Sequence, residues 1–127
     1  MYAIEVSAVF AASHQLRLPD GQLEPRHGHD WQVTLRVASR ELDAMDTVMD
    51  FHVLERALAE VIGPWRNRQL NDVPPFAQGV NPSAERVAHA VAEALWRQMP
   101  APAQLVEVRV TEAPGCVAIY ERQMRNA

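Results

Sequence analysis

The stretch "EPRHGHDWQVTLRV", Glu24 to Val37, sets the terms for the whole chain. From Asp30 onward it alternates, with Trp31, Val33, Leu35 and Val37 facing one way and Gln32, Thr34 and Arg36 the other. Successive side chains of an extended chain point to opposite faces, so this period marks a strand with one face in a core and one in water. At its mouth stand His27 and His29, two of only five histidines. Residues two apart share a face, so both imidazoles can address one ion, and Gly28 keeps the backbone between them uncrowded.

Upstream, residues 2–10 alternate in the same way, with Tyr2, Ile4, Val6, Ala8 and Phe10 on one face. "LRLPDGQLEPR", residues 16–26, carries a Pro-Asp-Gly turn signal and reads as a loop. The two strands therefore form an antiparallel hairpin with a long connection. In such a hairpin His14, beyond the first strand, lies near the start of the second and can supply a third imidazole. Three histidines with an open fourth position are a common catalytic zinc arrangement. The same residues also suit a polar start to the strand with His14 turned to solvent, and spacing does not separate these readings. His52 and His89 read as exposed or core-edge residues.

Downstream, "MDFHVLERALAEVIG" places Phe51, Leu54, Leu58, Val61 and Ile62 at helical spacing, with Asp50 as N-cap and Gly63-Pro64 as the stop. Residues 64–82 contain four prolines and no sustained period, so they read as an irregular surface loop. A second helix is expected from a cap at Asn81 and Pro82 in the first helical position to about Gln98, with Val87, Val91, Ala94 and Leu95 as its apolar stripe. "QLVEVRVTE" and "GCVAIYER" then alternate as two more strands joined at Ala113-Pro114-Gly115. The order ββααββ predicts an α+β fold with a four-stranded antiparallel sheet. Its open edges call for covering, and an oligomer is expected.

Bulk properties narrow the function. At 127 residues the chain is expected to form one domain, 1–127, with a core of its own. Twelve basic against 16 acidic residues give a net charge of −4, with no cluster of basic and aromatic residues, so nucleic acid is not an expected partner. No apolar run approaches the roughly 18 residues of a membrane span, and no leader is read at the N-terminus, so a cytoplasmic protein without a membrane partner is expected. The single cysteine, Cys116, builds neither an intrachain disulfide nor a thiolate zinc site, so any metal rests on histidine and carboxylate.

"FAASHQL", "HGHDWQVTLRV", "VMDFHVLERAL", "LNDVPPF", "NPSAERVA" and "VRVTEAPGCVAIY", taken in order, resemble the 6-pyruvoyl-tetrahydropterin synthase family, which includes the 6-carboxytetrahydropterin synthases. The resemblance covers nearly the whole chain. It implies the tunnelling fold, in which such subunits close their sheets into an oligomeric β-barrel as a trimer or a dimer of trimers. It also implies zinc on His14, His27 and His29, and a small-molecule pterin anchored by Glu112. A carboxylate there can accept two parallel hydrogen bonds from the pterin's pyrimidine edge. Glu112 continues the phase of Val106, Val108 and Val110, so it is expected on the apolar side of the sheet, where an idle charge is costly.

The chain departs from the family's pattern at three positions. Leu23 stands where the usual catalytic cysteine lies, and Arg66 and Asn67 stand where the Asp-His pair is expected. Glu24 gives instead an ExxHGH arrangement. This resembles a subgroup in which glutamate transfers the proton and the side chain of dihydroneopterin compounds is cleaved to 6-hydroxymethyl-dihydropterin. Two functions follow as expectations: a zinc-dependent pterin side-chain lyase, or a catalytically silent homologue that keeps zinc and pterin.

Overall fold

The computed structural model describes residues 1–126, so Ala127, the last position of the domain expected over 1–127, lies outside the described residues. Alternation holds along the first strand for longer than expected: β1 runs Tyr2–His14, and the even positions Val6, Phe10, Ala12 and His14 are all buried. Its partner β2 likewise starts earlier, at His27 rather than Asp30, and runs to Ser39. The two pair antiparallel without a slip from Tyr2↔Ser39 to His14↔His27.

Helix α1, Phe51–Ile62, begins at its expected cap, where the Asp50 carboxylate accepts the backbone N–H of His52. Between the helices lies more structure than an irregular loop. Residues 63–78 form three short 3-10 turns and a two-residue strand β3, Arg68–Gln69, which pairs parallel with β1 at Ala12 and Ser13. Helix α2, Ala84–Leu95, is capped by Ser83, not Asn81: the Ser83 hydroxyl accepts the Arg86 N–H. The Asn81 amide is engaged elsewhere, bonded to both the N–H and the C=O of Arg17, so Pro82 stays outside the helix. After Leu95 the chain tightens into a 3-10 turn that ends at Gln98.

Strands β4, Gln104–Ala113, and β5, Cys116–Glu121, complete a five-stranded sheet in the order β3-β1-β2-β4-β5, one short strand more than expected. All neighbours are antiparallel except β3 beside β1. A register slip between Arg36 and Val37 puts Leu105 in the core in place of Val106, which is half-buried. A second irregularity falls between Thr111 and Ala113.

One face of the sheet carries both helices. Helix α1 packs on β1, α2 on β4 and β5, and the helices touch each other. Trp31, Val33, Leu35 and Val37 of β2 meet Leu54, Leu58 and Ile62 of α1 and Val87, Val91 and Leu95 of α2 in one apolar cluster. Among the described residues no helix is long and apolar enough to cross a membrane. The sheet is open at both ends, with Val117 and Ile119 of β5 and Tyr2 and Val9 of β1 exposed.

Candidate metal centre

The hairpin register brings the histidines together. His14 is the last residue of β1 and pairs directly with His27, the first of β2, while His29 pairs with Ala12. Glu112 arrives from β4 at the irregularity between Thr111 and Ala113. Glu112 keeps the phase of the buried Val108 and Val110, so its side chain lies on the core face of the sheet, where its carboxylate meets the histidines. One ligating atom from each of His14, His27, His29 and Glu112 lies within 4.8 Å of the other three. His14 Nε2 is 3.0 Å from His27 Nε2 and 2.9 Å from Glu112 Oε1, and His29 Nε2 is 3.5 Å from the same oxygen.

Ligands at about 2.1 Å from a tetrahedral ion stand about 3.4 Å apart. The observed separations bracket that value. The proton positions make the same point independently. His14 Nδ1 lies 2.8 Å from the carbonyl of Pro82, and His27 Nδ1 lies 2.9 Å from that of Pro25. A carbonyl only accepts, so both Nδ1 atoms carry hydrogen, and in the neutral rings both Nε2 atoms present lone pairs. Two lone pairs facing at 3.0 Å repel unless a proton or a cation lies between them. His29 Nε2 is buried and has no hydrogen-bond partner, another orphan that a metal ion would satisfy.

Burial pulls the His29 imidazole below its ordinary pKa; the nearby Glu112 carboxylate opposes this, and the other two imidazoles reinforce it. The neutral, ligating form is thereby favoured. Trp31 is the floor of the centre: fully buried, edge-on to His14 and His29, stacked on Phe10, and fixed by its indole N–H to the Ala12 carbonyl. Solvent-facing His14 is therefore excluded, since its exposure is 0%. The residues present fit a first-row divalent ion held by three imidazoles and a carboxylate.

Glu24 stands at the rim. Its Oε1 accepts the Leu16 N–H at 3.0 Å and lies 3.8 Å from His27 Nε2, with a quarter of the side chain open to solvent. Leu23 pairs with Arg17 across the loop and is exposed. Arg66 and Asn67 serve the scaffold: the Arg66 guanidinium donates to the Val9 carbonyl, and Asn67, at φ 58°, donates its N–H to the Ala11 carbonyl. Cys116 is exposed at the start of β5. His52 and His89 lie outside the cluster, His52 beside Asp50 and His89 against Tyr120. A side chain at Gly28 would meet only the Ala12 carbonyl, at 3.8 Å, so backbone crowding does not require glycine there.

Sequence reading missed the supports of the centre. Pro82, just before α2, orients His14 through its carbonyl. Gln69 on β3 is buried and joins Ser13, Gln15 and Asn71 in an amide network, and Asn71 bonds both the N–H and the C=O of Gln15. Apart from the Gln69–Asn71 bond, between residues two apart, these partners lie 54 to 68 residues apart in sequence, so no local pattern announces them. Asn71→Ala leaves the Gln15 backbone next to His14 without its partners. The expected result is a loss of about 1–3 kcal/mol of stability in a urea titration, the usual cost of unpaired, partly buried polar groups.

Residues 3–123 match the model of the 6-pyruvoyl tetrahydropterin synthase family. The chain belongs to that family. Solved structures agree on the fold of this 6-pyruvoyl tetrahydropterin synthase family member. The 6-pyruvoyl tetrahydropterin synthase of Caenorhabditis elegans is similar with a TM-score of 0.82 at 20% identity, covering 96% of each chain. That of Plasmodium falciparum has a TM-score of 0.73 at 19% identity, over 94% of this chain and 98% of its own. A Plasmodium vivax 6-pyruvoyltetrahydropterin synthase, described as a catalytic residue mutant with glutamate replaced by alanine, has a TM-score of 0.71 at 16% identity, over 96% and 99%. No match was found among curated protein sequences.

Proposed function

We propose that this family member is a zinc-dependent pterin side-chain lyase acting on dihydroneopterin triphosphate-like substrates. The observation that carries the reading is the convergence of His14, His27 and His29 with the Glu24 carboxylate 3.8 Å from His27 Nε2. His14, His27 and His29 hold the zinc, which when bound polarises the substrate's side-chain hydroxyls and lowers their pKa. Glu24 is the acid–base group: the Leu16 N–H fixes one oxygen, and its partial exposure lets protons exchange with water. Glu112 accepts the amino and ring N–H groups of the pterin.

The subgroup favoured is the one that forms 6-hydroxymethyl-dihydropterin. Leu23 offers no thiol at the cysteine position, Arg66 and Asn67 are bonded to β1, and a glutamate is the catalytic residue named for the Plasmodium vivax relative. The same departures favour the second reading, a silent homologue that binds zinc and pterin without turnover. The unit is one domain that works in the cytoplasm as a homo-oligomer, a trimer or a dimer of trimers. The edge of β1 beyond its two-residue pairing with β3, and the edge of β5, with exposed Val9, Val117 and Ile119, support assembly into a barrel.

The test is incubation of the zinc-loaded protein with dihydroneopterin triphosphate and mass spectrometry of the pterins. A 6-hydroxymethyl product is expected. A 6-pyruvoyl product reassigns the bond cleaved, and unchanged substrate on a protein that binds pterin selects the silent homologue.

A further inference from the structure

We infer that Glu112 is an exchangeable fourth ligand, seated on the metal when the pterin pocket is empty and released to the pterin ring when it fills. The inference rests on the proposed metal and pterin binding and adds a coupling between them. Its ground is a conflict between two jobs for one carboxylate. A carboxylate that anchors a pyrimidine edge presents both oxygens to that edge. The Glu112 carboxylate instead has Oε1 2.9 Å from His14 Nε2 and 3.5 Å from His29 Nε2, inside the ligand set.

The position of Glu112 in the strand permits the exchange. It occupies the irregularity between Thr111 and Ala113, where no β5 residue is paired with it, two residues from the turn at Pro114-Gly115. Its side chain is 28% exposed, against 1% for His14 and 22% for His29; His27 is more open, at 42%, but its ring is tied to the Pro25 carbonyl. The histidines are fixed by Pro82, Pro25 and the Trp31 floor, so the carboxylate is the member of the set with room to leave. Release frees a coordination position for the substrate's hydroxyls, so the metal opens only once the ring is recognised. Coupling of this kind is reciprocal. A pterin without a side chain takes the carboxylate and returns no ligand, so it must loosen the metal by the same factor by which the metal weakens its binding.

Cobalt-substituted protein reads this without turnover, because ligand number sets the visible spectrum of the ion. The wild-type spectrum is expected to change when plain 2-amino-4-oxopteridine saturates the protein, with saturation followed separately by fluorescence. Glu112→Gln should alter the spectrum before any pterin is added, abolish the pterin-induced change, and lower metal affinity more than about tenfold in a chelator competition. Glu112→Asp, which keeps the charge on a shorter arm, should restore part of the metal affinity. Identical spectra and affinities in wild type and Glu112→Gln overturn the exchange while leaving a three-histidine metal site in place. Cobalt binding without any pterin binding overturns the functional reading, and the exchange with it.

Discussion

Replacing Glu24 by glutamine is expected to lower kcat on dihydroneopterin triphosphate by about 10²–10⁴-fold, the usual worth of a positioned acid–base group. The substitution keeps the size of the side chain and an oxygen able to accept the Leu16 N–H, the contact that orients Glu24 now. What it removes is the ability to take up and return a proton. Zinc content and pterin affinity should therefore match the wild type, because the three imidazoles and Glu112 are untouched. A fall in kcat at unchanged KM marks an interaction made in the transition state, whereas a rise in KM alone would make Glu24 a binding group. Equal kcat values in the two proteins would remove Glu24 from the chemistry.

The fold and the centre are legible in the sequence wherever the signal is local. Strand alternation located both long strands, and the histidines followed from it, because a hairpin that buries Phe10 and Trp31 fixes the register that pairs His14 with His27. The readings that failed did so where a distant partner overruled a local signal. Asn81 is a good cap by type, but both ends of its amide are held by the Arg17 backbone, and the helix starts at the next hydroxyl. Val106 has the right phase for the core, but the slip beside Arg36 hands its place to Leu105. Glu112 was legible as a misplaced charge on the sheet. Its contact with the histidines was not, since that depends on the register of β4 against β2, which no local pattern announces. Strand β3 is two residues long, too short for any period, and is held by the amides of Gln69 and Asn71.

Removing the metal is expected to lower Tm by on the order of 10 °C without unfolding the protein at room temperature. Saturation at a thousandfold excess over Kd stabilises the folded state by about 4 kcal/mol, and each kcal/mol moves Tm by about 2–8 °C for domains near this size. The apolar core between sheet and helices does not depend on the metal, so far-UV circular dichroism should be retained after chelation. Without the metal, the Nε2 atoms of His14 and His27 stand 3.0 Å apart and need a proton between them, and His29 Nε2 is buried without a partner.

Burial lowers the pKa of His29 below 6.5, so the stability it contributes in the neutral form is present above pH 6.5 and is lost as the pH falls through the lowered folded value. Protonation of the ligands also expels the metal, so the difference in Tm between loaded and chelated protein should shrink over the same acidic range. His14→Ala should abolish the response of Tm to zinc, and His52→Ala, whose ring is 85% exposed beside Asp50, should leave it intact. A Tm independent of zinc from neutral to acidic pH would mean that the three imidazoles do not hold a metal, and would withdraw the lyase assignment with it.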